Sequence, residues 1–168
     1  PALSQAPDLK HVVVVGPGAE GKELEFADLM AKASDEFATV DTHPDETAFW
    51  LYSSGSTGAP KGTEHVHTSL METARLFAKG VLGIREDDVV HSAAKLFFAY
   101  GLGNALSFPM AVGATTILNP DRPSPAAVFA MLEKHQPTIF CGVPTLFAAM
   151  LHDQDHAQHK GSSRLRIS

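Results

Sequence analysis

The 168 residues include one cysteine, Cys141, and one tryptophan, and no apolar run nears the roughly 20 residues needed to span a bilayer. A lone cysteine excludes an internal disulfide. Within Thr138-Ile139-Phe140-Cys141 it reads as a buried structural thiol, which fits a reducing, cytoplasmic setting. The chain opens on Pro1 without the basic-then-apolar layout of a secretory leader, so neither targeting nor a membrane partner is expected. Lysine and arginine are few, 13 against 19 Asp and Glu for a net charge of -6, and they form no stripe that could follow a phosphate backbone. Nucleic acid is therefore excluded as an expected partner. With 44% apolar and 19% charged residues, the chain has the composition of a folded domain rather than a disordered one.

Apolar runs alternate with helical periodicity. Val12–Val15, Ala48–Tyr52, Asp88–Ser92, Thr115–Leu118 and Thr138–Val143 read as strands, and Arg164–Ile167 as the opening of another. Between them, helices are expected around Leu24–Met30, from His67 to Lys79 with Gly80 as a stop, from Ser124-Pro125 through Lys134, and from Pro144 through Leu151. This alternation predicts an α/β fold with mostly parallel strands flanked by helices, since each parallel crossover needs a returning segment. The polar stretch His152–Ser163 has no apolar period and is expected to be a surface loop, the weakest point for proteolysis.

Directly after the second apolar run comes Ser53-Ser54-Gly55-Ser56-Thr57-Gly58-Ala59-Pro60-Lys61-Gly62. Glycines let main-chain N–H groups approach phosphate oxygens, the hydroxyls add donors and Lys61 adds positive charge, so the segment is suited to wrap a polyphosphate. It is not a Walker A loop, because Pro60 precedes the lysine and Gly62, not Ser or Thr, follows it. A plain Ser/Gly turn is the bland alternative.

Two other patterns compete. Gly16-Pro17-Gly18-Ala19-Glu20-Gly21 matches G-x-G-x-x-G after a strand, with Asp41 twenty residues beyond Gly21, as in an NAD-binding oxidoreductase. Against that, Glu20 would set a carboxylate beside a pyrophosphate and Pro17 lacks a donor N–H. His152, His156 and His159 would share one face if helical, with Asp153 and Asp155 nearby; a solvated surface run is favoured over zinc, and no metal ligand is assigned. His65 and His67 alternate as in an extended segment, either near nucleotide phosphates or merely capping the next helix.

Ser53 to Gly62 resembles the phosphate-binding signature of the acyl-adenylate-forming (AMP-binding) superfamily. Pro60-Lys61-Gly62-Thr63 through His67, Val81-Leu82-Gly83-Ile84-Arg85-Glu86-Asp87-Asp88, and above all Lys95-Leu96-Phe97-Phe98-Ala99-Tyr100-Gly101-Leu102-Gly103-Asn104 are similar to benzoate-CoA ligases and their hydroxybenzoate relatives. The resemblance implies ATP-dependent activation of an aromatic carboxylate to an aryl-adenylate, then transfer to CoA, with Mg2+ accompanying the ATP. Ser53, Ser54, Gly55, Ser56, Thr57, Gly58 and Lys61 fall on the loop that holds the β- and γ-phosphates, and Phe98, Ala99, Tyr100 and Gly101 fall on the acid pocket. The aromatic residues there would equally suit plain core packing. Residues 1–168 are expected to be part of the large N-terminal domain: 1–62 from one αβαβα subdomain, ending in the phosphate loop, and 63–168 mainly from a second. The lid domain with the family's catalytic lysine would be absent, so this chain alone is expected not to turn over. Its partners would be an aromatic acid, ATP and CoA, with a homo-oligomer left open. A non-catalytic module that binds acid or phosphate is the third reading.

Overall fold

The computed structural model describes residues 5–18, 21, 23–54 and 58–168. These fall into two units, Pro1–Asp41 and Thr42–Ser168. In the first, β1 (Val13–Val14) pairs in parallel with β2 (Leu24–Glu25), and α1 (Phe26–Lys32) follows at once. Glu25 is the extended N-cap of α1, with Asp28 in its first turn and Lys32 in its last, each on the favourable side of the helix dipole.

The second unit begins with a ribbon. β3 (Thr47–Ser53) runs antiparallel to β4 (Lys61–Val66), with rungs from Phe49↔His65 to Ser53↔Lys61. The expected strand at Ala48–Tyr52 is present, but its partner lies in a polar stretch that composition marks as loop. β4 forms because its main chain pairs with β3, and His65 stacks on Phe49 at 5.0 Å across one rung. This antiparallel ribbon accompanies the expected parallel sheet.

α2 (Ser69–Thr73) continues as a π-helical segment, Ala74–Leu82, and passes straight through Gly80. The expected stop at Gly80 is therefore corrected to Gly83, which takes the left-handed conformation at φ 60°. An added Cβ at Gly80 would meet only the Arg75 carbonyl, at 3.5 Å, whereas Gly83 has the positive φ that favours glycine in a helix-ending turn.

The main sheet has the order β6-β5-β7, all parallel: β5 (Val89–Ser92) in the centre, β6 (Thr115–Ile117) and β7 (Ile139–Cys141) beside it. A single parallel bridge, Ile139↔Ile167, is what the structure has of the strand expected at Arg164–Ile167. From β5 the chain passes through α3 (Ala99–Leu102), a π-helical turn Gly103–Ser107 and α4 (Phe108–Met110) to β6. It then crosses to the other side of β5 through α5 (Pro125–His135) and leaves β7 through α6 (Pro144–His152). Ser124 caps α5 as expected, its hydroxyl accepting from Ala127 N at 3.3 Å, with Pro125 in the first turn.

Alternation along β7 sorts the core into two layers. Ile139 and Cys141 face Ala74, Ala78, Ile84, Val90 and Phe108, while Phe140 faces Val128, Leu132 and Leu146. Helices thus cover both faces of the parallel sheet, and the connection out of β5 uses one face while that out of β6 uses the other. Among the described residues, no helix is long and apolar enough to cross a membrane.

Candidate functional site

In an open parallel sheet, ligands bind outside the carboxyl ends of the strands, where successive connections leave toward opposite faces. A cavity of 630 Å³ lies there. Its walls come from the exits of all three strands: Ala93, Lys95, Phe98 and Tyr100 after β5, Arg122 and Pro123 after β6, and Val143, Thr145 and Leu146 after β7. The lining is mainly apolar, and the volume is several times the roughly 150 Å³ that suffices for a benzene ring.

Of the four residues expected in an acid pocket, Phe98 and Tyr100 line this cavity. Phe98 is the extended N-cap of α3 and its ring packs 4.4 Å from that of Phe97. The Tyr100 hydroxyl donates to the Gly142 carbonyl at 3.2 Å, joining the wall after β5 to the wall after β7. Burial raises the Tyr100 phenol from its ordinary range, so the neutral donor form is kept. Ala99 faces a separate, smaller cavity with Phe49, His65 and Phe108. Gly101 is buried and touches neither; a Cβ there would stand 2.0 Å from the Lys95 carbonyl oxygen, so α3 can sit this close to the β5 exit only with glycine at that position.

The expected phosphate loop is the tip of the β3–β4 ribbon. Ser53 and Lys61 form its last rung, both exposed, which sets a hydroxyl and an ammonium at the base of the loop. Gly58 has φ 110° and suits only glycine. At Gly62 an added Cβ would lie 3.1 Å from the Tyr52 ring and 3.2 Å from that of Trp50, so both aromatic rings lie close over the bare backbone. Ser54 is exposed just beyond β3, and Gly55, Ser56 and Thr57 lie outside the described residues. The donor set from Ser53 to Lys61 contains no carboxylate, which suits an anion.

The rival glycine loop does not open a helix. Gly16 and Gly18 follow β1, and the chain reaches β2 before α1 begins, so the helix N-terminus that a dinucleotide pyrophosphate requires does not follow the glycines. Ala19 and Glu20 of that motif lie outside the described residues. The three histidines diverge as well. His152 ends α6, His156 sits in a short 3-10 turn with Nδ1 2.8 Å from the Asp153 carbonyl, and His159 stacks on Phe129 at 4.2 Å with Nδ1 3.2 Å from Glu133 Oε1. Their polar segment is also tied down, Ser163 N donating to Gln136 Oε1 at 2.9 Å and Ser162 Oγ to the Pro137 carbonyl at 2.6 Å.

Composition and periodicity miss Lys95, whose Nζ donates to the carbonyls of Asn119 and Asp121, and Asp88, which is buried beneath the sheet's entry edge. Each acts across 24 or more positions in the chain, a distance that local patterns do not report.

The family described as AMP-binding enzyme matches residues 1–168. The benzoate–CoA ligase of Thauera aromatica is 57% identical over 166 residues, covering 99% of this chain and 31% of that protein. The crystal structure of a benzoate CoA ligase from Burkholderia xenovorans LB400 matches with a TM-score of 0.74 at 47% identity, over 92% of this chain and 30% of that one. That of the anthranilate CoA ligase AuaEII in complex with anthranoyl-AMP matches with a TM-score of 0.88 at 36% identity, over 98% and 32%. The chain spans about a third of the length of these relatives. Strand order, the two-faced helical cover and the match along its whole length agree: the chain belongs to the AMP-binding enzyme family.

Proposed function

We propose that this chain supplies the phosphate loop and part of the acid pocket of an ATP-dependent ligase that activates an aromatic carboxylate of the benzoate type. In the first step a carboxylate oxygen attacks the α-phosphorus of ATP and the bond to pyrophosphate breaks. In the second the CoA sulfur attacks the acyl carbon and AMP leaves.

Ser53, Ser54, Gly55, Ser56, Thr57, Gly58 and Lys61 hold the β- and γ-phosphates and stabilise the charge that builds on the departing pyrophosphate. When bound with the ATP, Mg2+ would supply further charge neutralisation. Phe98 and Tyr100 flank the aromatic ring; Ala99 and Gly101 let α3 approach it. A cytoplasmic setting and a role in degrading aromatic compounds go with this reading, to which the single buried thiol is suited.

The observation that carries the proposal is the apolar cavity at the carboxyl ends of β5, β6 and β7, walled by Phe98 and Tyr100. The test is product analysis with the complete product of the gene that encodes this chain. Benzoate, ATP and CoA together should yield benzoyl-CoA, AMP and pyrophosphate; omission of benzoate or ATP should abolish all three products, and omission of CoA should abolish benzoyl-CoA and halt turnover after pyrophosphate release. ADP and phosphate in place of AMP and pyrophosphate would refute the adenylate route.

A further inference from the structure

The three walls of the cavity come from three separate strand exits, and nothing in a strand exit alone fixes its distance from the next. One residue ties two of these walls together. Lys95 stands in the middle of the β5 exit, half-buried, and its Nζ donates to two main-chain carbonyls of the β6 exit, Asn119 and Asp121. Asn119 Oδ1 in turn accepts from Asp121 N at 3.0 Å, closing a tight turn directly before Arg122 and Pro123 of the cavity wall. The same lysine braces α3 through its main chain. Its carbonyl accepts from Phe98 N at 3.0 Å and lies against Gly101, where any Cβ would collide with it. The third wall is joined separately, by the Tyr100 hydroxyl on the Gly142 carbonyl and by Ala93 N on the Cys141 carbonyl at 2.9 Å.

An ammonium group suits this position because it brings several donors to one point, so a single side chain can serve two carbonyls that point into a narrow gap. A neutral side chain of similar length fills the space and leaves both carbonyls without their donor. We infer that Lys95 is a positioning residue for the aromatic acid: it spaces the Arg122–Pro123 wall from the Phe98–Tyr100 wall and so sets the width of the slot that receives the ring. The inference rests on the ligase reading proposed above. It adds that selectivity among ring substituents depends on a residue that lines the slot yet acts by holding its walls.

The test uses the complete gene product and acid-dependent exchange of labelled pyrophosphate into ATP. Lys95→Met should raise KM for benzoate about tenfold, leave KM for ATP within about twofold, and narrow the preference in kcat/KM between benzoate and bulkier para-substituted benzoates. Lys95→Arg keeps a cationic donor and should raise the acid KM only about threefold, with the preference partly retained. A residue needed for folding alone would lower the amount of active enzyme and leave both KM values and the preference where they were. Unchanged acid KM and preference in folded Lys95→Met overturns the inference. Should that variant not fold, Lys95→Arg with acid KM and preference unchanged overturns it equally. Absence of exchange with any aromatic acid in the unsubstituted protein is a different failure: it removes the ligase reading itself.

Discussion

Asp88 and Arg166 stand 78 positions apart and meet as a two-point pair, Arg166 Nε donating to Asp88 Oδ1 at 2.9 Å and Nη2 to Oδ2. The carboxylate is buried and also accepts from Thr138 Oγ1 at 2.6 Å and from Arg85 N at 2.8 Å. Arg166 reaches on to the Gly83 carbonyl at 3.0 Å. One carboxylate thus ties the end of the π-helical segment, the starts of β5 and β7 and the tail beside β7. Burial pushes the Asp88 carboxyl up, but the hydrogen bonds from Arg166, Thr138 and Arg85 outweigh it and hold it at about 2, below its ordinary 3.8.

A depressed carboxylate stabilises the folded state above its unfolded pKa and ceases to do so as the folded group protonates. The Asp88 contribution is therefore present in full above about pH 4 and lost as pH falls toward about 2. Urea unfolding of this chain should show a decline in stability across that window, and Asp88→Asn should flatten it while lowering stability at pH 7 by about 3 kcal/mol. A wild-type decline that survives unaltered in Asp88→Asn would assign it to other groups.

Cys141 lies in the core, and burial pushes its thiol up to about 11 from 9.0. Alkylation by iodoacetamide at pH 8 should be at least about 100-fold slower in the folded chain than in urea, because both thiolate fraction and access are reduced. Mass analysis of the modified peptide over time measures this; equal rates in the two states would contradict a buried thiol.

Gly101 and Gly18 separate two reasons for glycine. Gly101→Ala forces a methyl against the Lys95 carbonyl and should cost about 1–3 kcal/mol while shifting α3 and weakening benzoate binding. Gly18 has φ 127° and no described atom within 4 Å of an added Cβ, so Gly18→Ala meets chiefly backbone strain and should cost about 1 kcal/mol without affecting benzoate. Thermal unfolding and isothermal titration on the complete gene product distinguish the two. Loss of nucleotide binding in Gly18→Ala would revive the dinucleotide reading.

Tyr100→Phe removes the donor to the Gly142 carbonyl without changing the ring. It should lower stability by about 1 kcal/mol and raise the benzoate KM about threefold, since the wall after β7 loses its tie. Steady-state kinetics with benzoate and ATP varied in turn check that the effect is confined to the acid.

The parts of this fold that could be read from the chain are those determined locally. Ser124-Pro125 predicts the start of α5 because a hydroxyl cap and a fixed φ act within one turn. The stretches Asp88–Ser92 and Thr138–Val143 read as strands, and β5 and β7 form within them, parallel and buried. β4 was hidden because Lys61-Gly62-Thr63-Glu64-His65 has no apolar alternation, and its pairing depends on β3. Gly80 has the residue type of a helix stop, whereas continuation through it depends on Ala74 and Ala78 packing in the core.

Within the candidate site, Phe98 and Tyr100 were legible through their motif, and Lys61 through its loop. Lys95 stands at the head of that same motif, but its bonds to Asn119 and Asp121 belong to tertiary structure and leave no periodic trace. Asp88 is legible as a strand residue at the end of the Val81–Asp88 motif, but its pairing is not, since its partners arrive from Thr138 and Arg166.

The measurement that bears most directly on acid activation is exchange of labelled pyrophosphate into ATP by the complete gene product, with and without benzoate, beside its Lys61→Ala variant. Lys61 is exposed on the ribbon, so the variant should keep its stability within about 0.5 kcal/mol. The account predicts exchange that requires benzoate and falls about 100-fold in Lys61→Ala. Exchange that ignores the acid, or that survives the loss of Lys61 undiminished, would contradict it.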